Sequence, residues 1–298
     1  MALRTAEGLR GEQLVAAFSD AMKGRPERLF VQLGIQSGLP GTRVNLILAQ
    51  AFATECVIHG KAADKLALGM ATLSPEVAPG ASEREFLPVC GLLALGARAA
   101  AEKKDHAFRK KTVALLHEAA EDVRFRVREI VPIALAKIGA VAGDALVHEL
   151  ASWMDGFFQA SAVLFAMAQP NFLPAIEDEA AALERLDEAY ALAKNAARST
   201  SRYPGRKALV DALAVAPAAF AGKFGVPVFD HLVAWSNTEQ PELRAAIEAT
   251  LKSNKLASRY APDVKRVQAA LIASIPPPRD PTLAVQGMRS RGKKRSRR

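Results

Sequence analysis

The chain has 298 residues, half of them hydrophobic, 24% charged and 6% aromatic, with a formal net charge of +9. That mix excludes a disordered, collagen-like or disulfide-rich class and leaves an ordinary globular composition. Seven of the positive charges crowd into RSRGKKRSRR (289–298), which holds no acid; taking seven from nine leaves +2 for the rest, so net charge alone does not give the folded part a basic face.

In chain order, Leu14, Val15, Phe18 and Met22 mark one amphipathic helix over 11–23, and Leu29, Phe30, Leu33 and Gly34 a second over 25–36. SGLPG (37–41) breaks the pattern, and Thr42 is expected to cap a helix that runs to Gly60. A helix over 62–72 and a Pro/Gly-rich turn over 73–81 follow. Ser82 and Glu85 have capping-box spacing. Helices are then predicted over 83–102, 106–120, 123–138 (kinked at Pro132), 143–154, 157–168 and 175–198. RSTSRYPGR (198–206) reads as a loop, with helices over 206–221, 227–236, 241–252 and 262–274 beyond it. From Pro276 the chain has too little apolar material to offset chain entropy, so no packed structure is expected there. No period-two pattern of useful length suggests a strand.

A helix-pair pattern recurs about every 33 residues. HEAAEDVRFRVREIVPIALAKIG (117–139) laid over ELASWMDGFFQASAVLFAMA (149–168) puts Asp122 on Asp155, Phe125 on Phe158 and Val131 on Leu164. Leu243, Arg244 and Ile247 later take the places of Val127, Arg128 and Val131. A period of this length signals stacked units that bury their apolar faces only against neighbours. The stretch Asp122–Arg128 resembles the second-helix motif of HEAT repeats, in which an Asp bridges the turn and an Arg reaches toward the neighbouring repeat's Asp. Ser161 departs from that motif in the second copy and Thr238 in the later one. The resemblance implies an all-α fold, an α-solenoid of HEAT-like antiparallel helix pairs. On it, residues 1–81 form an N-terminal helical region packed on the solenoid, 82–275 the repeats and 276–298 a disordered basic tail. WSNTEQPELRAAIEATLKSNKL (235–256) also looks like the terminal unit of uncharacterised bacterial HEAT-repeat proteins.

The chain is distantly similar to HEAT-like alkylpurine DNA glycosylases as well. That resemblance implies a concave-face Asp beside Trp residues, for which Asp155, Trp153 and Trp235 are the candidates. Asp155 also aligns with the repeat's structural Asp122, which gives it a plain architectural reading. No other catalytic or cofactor motif is present: the histidines at 59, 106, 117, 148 and 231 never form H-E-x-x-H, and no phosphate loop or G-x-S-x-G occurs. Cys56 and Cys90 sit in apolar surroundings and read as buried hydrophobes, so no metal and no cofactor is expected.

Two internal basic clusters stand out. Lys103, Lys104, Arg109, Lys110 and Lys111 with Arg124, Arg126 and Arg128 are diluted by acids and read as a salt-bridged solvent face. Lys194, Arg198, Arg202, Arg206 and Lys207 surround Tyr203 with no acid from 189 to 210, a pattern that suits phosphates and a stacked base. In the tail, Arg289, Arg291, Lys293 and Lys294 with Arg295, Arg297 and Arg298 are expected to attract nucleic acid without sequence choice. The sequence therefore leads to a non-enzymatic repeat protein that binds nucleic acid or protein, with excision of alkylated bases as the alternative. With no secretion signal and no membrane span, it reads as cytoplasmic.

Overall fold

The computed structural model describes residues 2–102 and 105–275, and among them every regular element is helical. The N-terminal part holds α1 (Ala2–Met22), α2 (Glu27–Ile35), α3 (Leu46–His59) and α4 (Lys61–Ala71). The middle holds α5 (Phe86–Ala101), α6 (His106–Ala119), α7 (Phe125–Ala142), α8 (Asp144–Glu149) and α9 (Phe157–Met167). Then come α10 (Glu179–Lys194), α11 (Pro204–Phe224), α12 (Val226–Ser236), α13 (Pro241–Leu251), α14 (Asn254–Arg259) and α15 (Ala261–Ala273). The expectation for 276–298 lies outside the described residues.

The packing has a simple order. Helices α3, α5, α7, α9, α11 and α13 each pack on the next, so the odd-numbered helices make one continuous rank. The even-numbered helices α4 to α12 flank it, with α8 on α10 and α10 on α12. Helices α3 and α4 both pack on α5, so chain on either side of residue 82 shares one core. Buried Leu, Ala, Val and Phe from nearly every helix fill it, Phe18, Phe52, Phe86, Phe172, Phe220 and Phe229 among the largest. A single glycine joins odd helix to even helix three times: Gly60, Gly143 and Gly225 have φ of 60°, 53° and 75°, a region that other residues enter only with strain.

Several side-chain bonds between helices span 33 or 34 residues. Arg98 reaches Asp64 through Nε at 2.9 Å, across 34 residues. The Asp144 carboxylate accepts from the Glu177 and Asp178 N–H groups at 2.8 and 2.9 Å, across 33 and 34 residues, and so caps the approach to α10 from another unit. Arg206 donates to Gln240 Oε1 at 2.8 Å, again across 34.

Several local expectations are corrected. The cap of α3 is Asn45, whose side chain accepts from Leu48 N–H at 3.1 Å; Thr42 lies in the preceding loop. Ser82 and Glu85 do not form a capping box. Glu85 is buried and accepts from Ala81 N–H at 2.7 Å and from Arg126 N–H at 3.0 Å, so it caps α7 from 41 residues away. The predicted helix over 143–154 is α8 followed by a 3-10 turn, and that over 175–198 is shorter because Asp178 caps it at Ala181. Arg128 does not make the Asp contact that the resemblance implied; its guanidinium donates to the carbonyl of Asp122, six residues earlier. Cys56 and Cys90 are buried and free, and burial, aided by the Asp64 charge, pushes the Cys56 thiol up to about 12. Replacing Glu85 with Ala leaves two backbone N–H groups without their acceptor, at about 1–3 kcal/mol each if both stay dry. Urea unfolding of Glu85→Ala is therefore expected to show a clear fall in midpoint, and an unchanged midpoint would contradict the capping role.

Candidate nucleic-acid interface

A groove of about 910 Å³ opens along the odd-numbered rank, from the loop before α3 across α7 and α9 to the start of α11. Its floor is apolar (Val89, Ile130, Ile133, Ala162 and Phe165 among others) and its polar lining includes Arg43, Arg126, Arg128 and Lys207 against Glu129 and Asp211. Aromatic residues in or beside it stand at the starts of successive odd helices: Phe125 opens α7, Phe157 and Phe158 open α9, and Tyr203 immediately precedes α11.

These groups touch in sequence across the three helices. The Arg126 guanidinium lies 5.1 Å from the Phe125 ring centre. Arg128 lies between Phe125 at 5.8 Å and Phe158 at 4.6 Å. Tyr203 then meets Phe158 edge-on at 5.8 Å and Phe157 at 6.1 Å. Phe125 is 55% exposed and Tyr203 40%, so both keep ring surface open to solvent. The Tyr203 hydroxyl donates to Glu121 at 3.4 Å; partial burial, then that carboxylate, raise its pKa above the ordinary phenol value.

The cations differ in how far they are neutralised. Arg126 is paired with Glu129 and also holds the Thr42 carbonyl at 2.7 Å, which ties the Thr42–Arg43 loop to the start of α7. Among the described residues no carboxylate comes within 4.0 Å of the charged atoms of Arg43, Arg128 or Lys207. The turn below Arg128 is fixed by Asp122, which binds the N–H, Nε and Nη2 of Arg124. Partial burial opposes ionisation of Asp122, but the Arg124 bonds and the Arg128 charge outweigh it and hold the carboxyl below its ordinary value.

The structure sorts the basic cluster over 194–207 by face. Lys207 lines the groove, with Tyr203 beside Phe158 next to it. Arg206 does not face solvent: it is 6% exposed and its guanidinium turns to Gln240, with Glu242 at 3.9 Å. Lys194 lies over the Trp235 ring at 5.7 Å on the even-numbered side, and Arg202 is exposed. The Arg198 side chain and the tail residues 289–298 lie outside the described residues. The earlier cluster also divides. Arg109 pairs with Glu149 at 3.7 Å and Arg124 is buried against Asp122 and the Ala78 carbonyl. Arg126 and Arg128 belong to the groove, which the reading of a solvated face did not foresee. The signal was present in the repeat overlay, where Phe125 and Phe158 share a position while Arg43 offers none.

Asp155, Trp153 and Trp235 do not line this groove. Asp155 bonds His117 Nε2 at 3.2 Å, and Trp153, 2% exposed, meets the same imidazole edge-on at 5.0 Å. Trp235 belongs to a separate group: its Nε1–H donates to Asp187 at 2.6 Å, and its ring stacks on Tyr190 at 5.4 Å. Of the three, Asp155 and Trp153 meet at His117, while Trp235 lies in the other group. Among the described residues no cluster of three or more His, Cys, Asp or Glu could hold a metal, and no helix is long and apolar enough to cross a membrane. The chain matches no family model, no curated protein and no solved structure.

Proposed function

We propose that the chain is a non-enzymatic binding protein, a HEAT-like α-solenoid that holds nucleic acid in the groove of its odd-numbered rank and acts in the cytoplasm. The solenoid reading is supported by the succession of odd helices and by inter-unit bonds at 33 and 34 residues. The binding reading rests on one observation: Arg128, flanked by Phe125 and Phe158, shares a groove with Arg43 and Lys207, and none of the three has a carboxylate partner within 4.0 Å. Cations with no carboxylate within 4.0 Å, beside partly exposed aromatic rings, suit a ligand that carries both phosphates and flat rings. The basic tail adds sequence-independent attraction.

The test is a salt titration. Binding of a labelled 15-nucleotide strand, followed by anisotropy, is expected to weaken linearly in log–log form as salt rises. Arg43→Ala with Lys207→Ala is expected to reduce the magnitude of that slope by about 1.4, roughly 0.7 for each single-strand phosphate that is no longer neutralised. Both residues are exposed, so the fold is expected to survive the change. Affinity that is flat against salt, or a slope untouched by the double change, would remove the basis for this reading.

A further inference from the structure

We infer that the groove is selective for single-stranded nucleic acid over duplex, with unpaired bases stacked on Phe125 and on Tyr203 beside the groove, and the strand's phosphates on Arg43, Arg128 and Lys207. The inference rests on the nucleic-acid reading above and goes beyond it by naming the form of the ligand.

The shape of the chemistry decides between the two forms. A duplex shows a protein its phosphates and the edges of its bases; the faces of the bases are covered by their neighbours. Duplex readers therefore place hydrogen-bonding side chains at base edges. Here the exposed groups are instead rings, Phe125 in the groove and Tyr203 beside it. Phe125 is more than half exposed at the first position of α7, and the exposed Val123 lies two residues before it. Phe125, Arg128, Phe158 and Tyr203 form one run of rings and a guanidinium across α7, α9 and the start of α11. Such a run offers stacking surfaces at intervals, and each base has a face to offer whatever its identity. Arg128 contributes in two ways, as a charge toward phosphate and as a planar group that stacks. Arg43 at one end of the groove and Lys207 at the other bracket the run with exposed positive charge.

The experiment compares four ligands on the full chain at one fixed salt concentration: a 12-nucleotide DNA strand, the same strand in RNA, the corresponding 12-base-pair duplex, and a 12-unit abasic strand with phosphates but no bases. The wild type is expected to bind the DNA or RNA strand at least about tenfold more tightly than either the duplex or the abasic strand. Phe125→Ala is expected to lower single-strand affinity about tenfold while leaving the abasic strand unchanged, and Phe125→Trp to restore it. The exposure of Phe125 separates this effect from loss of the fold, and a thermal melt of each variant checks that directly. Which of DNA and RNA binds more tightly separates the two sources of one chemistry. Binding in which the duplex equals or exceeds the single strand, or in which Phe125→Ala has no effect, overturns the single-strand inference and leaves the nucleic-acid reading standing. Absence of binding to all four overturns both.

Discussion

Phe172→Ala is expected to destabilise the protein by about 3–5 kcal/mol, the usual penalty for emptying a buried aromatic site. For a chain of this size that corresponds to a fall in melting temperature of about 5–8 °C. Phe172 lies between α9 and α10 with no exposed surface, and Asn171 anchors the segment by donating to the Ala136 carbonyl at 3.0 Å. Its ring covers Gly139 so closely that a Cβ added there would sit 2.4 Å from three ring atoms. Gly139→Ala is therefore expected to destabilise by overpacking, about 1–3 kcal/mol. The two effects share one space, so the double variant Gly139→Ala/Phe172→Ala is expected to lose less than the sum of the single losses. Strict additivity in urea unfolding would show that the ring and the glycine do not meet as described.

The second large effect concerns Arg98 and Asp64. The Arg98 side chain is 4% exposed, beside the Phe108 ring at 5.8 Å, whereas Asp64 keeps 22% of its side-chain surface. Removing Asp64 leaves a guanidinium buried without a counter-charge, and Asp64→Ala is expected to cost about 3–5 kcal/mol. Removing Arg98 leaves a carboxylate that water can still reach. Arg98→Met, which keeps most of the volume, is expected to cost less, and adding Asp64→Ala to Arg98→Met is expected to change little further. Equal losses from the two single variants would mean that burial of the guanidinium is not the governing factor.

The helices were legible because their signals are local. Apolar residues recur at helical spacing, and Gly60, Gly143 and Gly225 or a proline stand at most of the joints. The short helix α14 was not legible, since it is six residues long and buries only Leu256, too little to show a period. Glu85 shows a different limit. Its spacing from Ser82 suggested a local cap, but its second partner is the Arg126 N–H, a contact that only the stacking of α5 and α7 creates. The groove failed to appear for the same reason, as Arg43 and Lys207 come from distant parts of the chain. Arg206 and Lys207 were grouped by charge, yet adjacent residues on a helix point about 100° apart. One turned toward Gln240 and the other into the groove. The repeat overlay did carry a trace of the site in the alignment of Phe125 with Phe158, since both open an odd helix on the same side.

On the proposed function, the working surface is the groove and not the basic tail. Hydrogen exchange of the full chain, with and without a saturating 15-nucleotide strand, tests it most directly. Slowed exchange is predicted around 42–46, 125–130, 157–162 and 203–211, with α8, α10 and α12 unchanged. Protection confined to 289–298, or spread over the even-numbered helices, would contradict it.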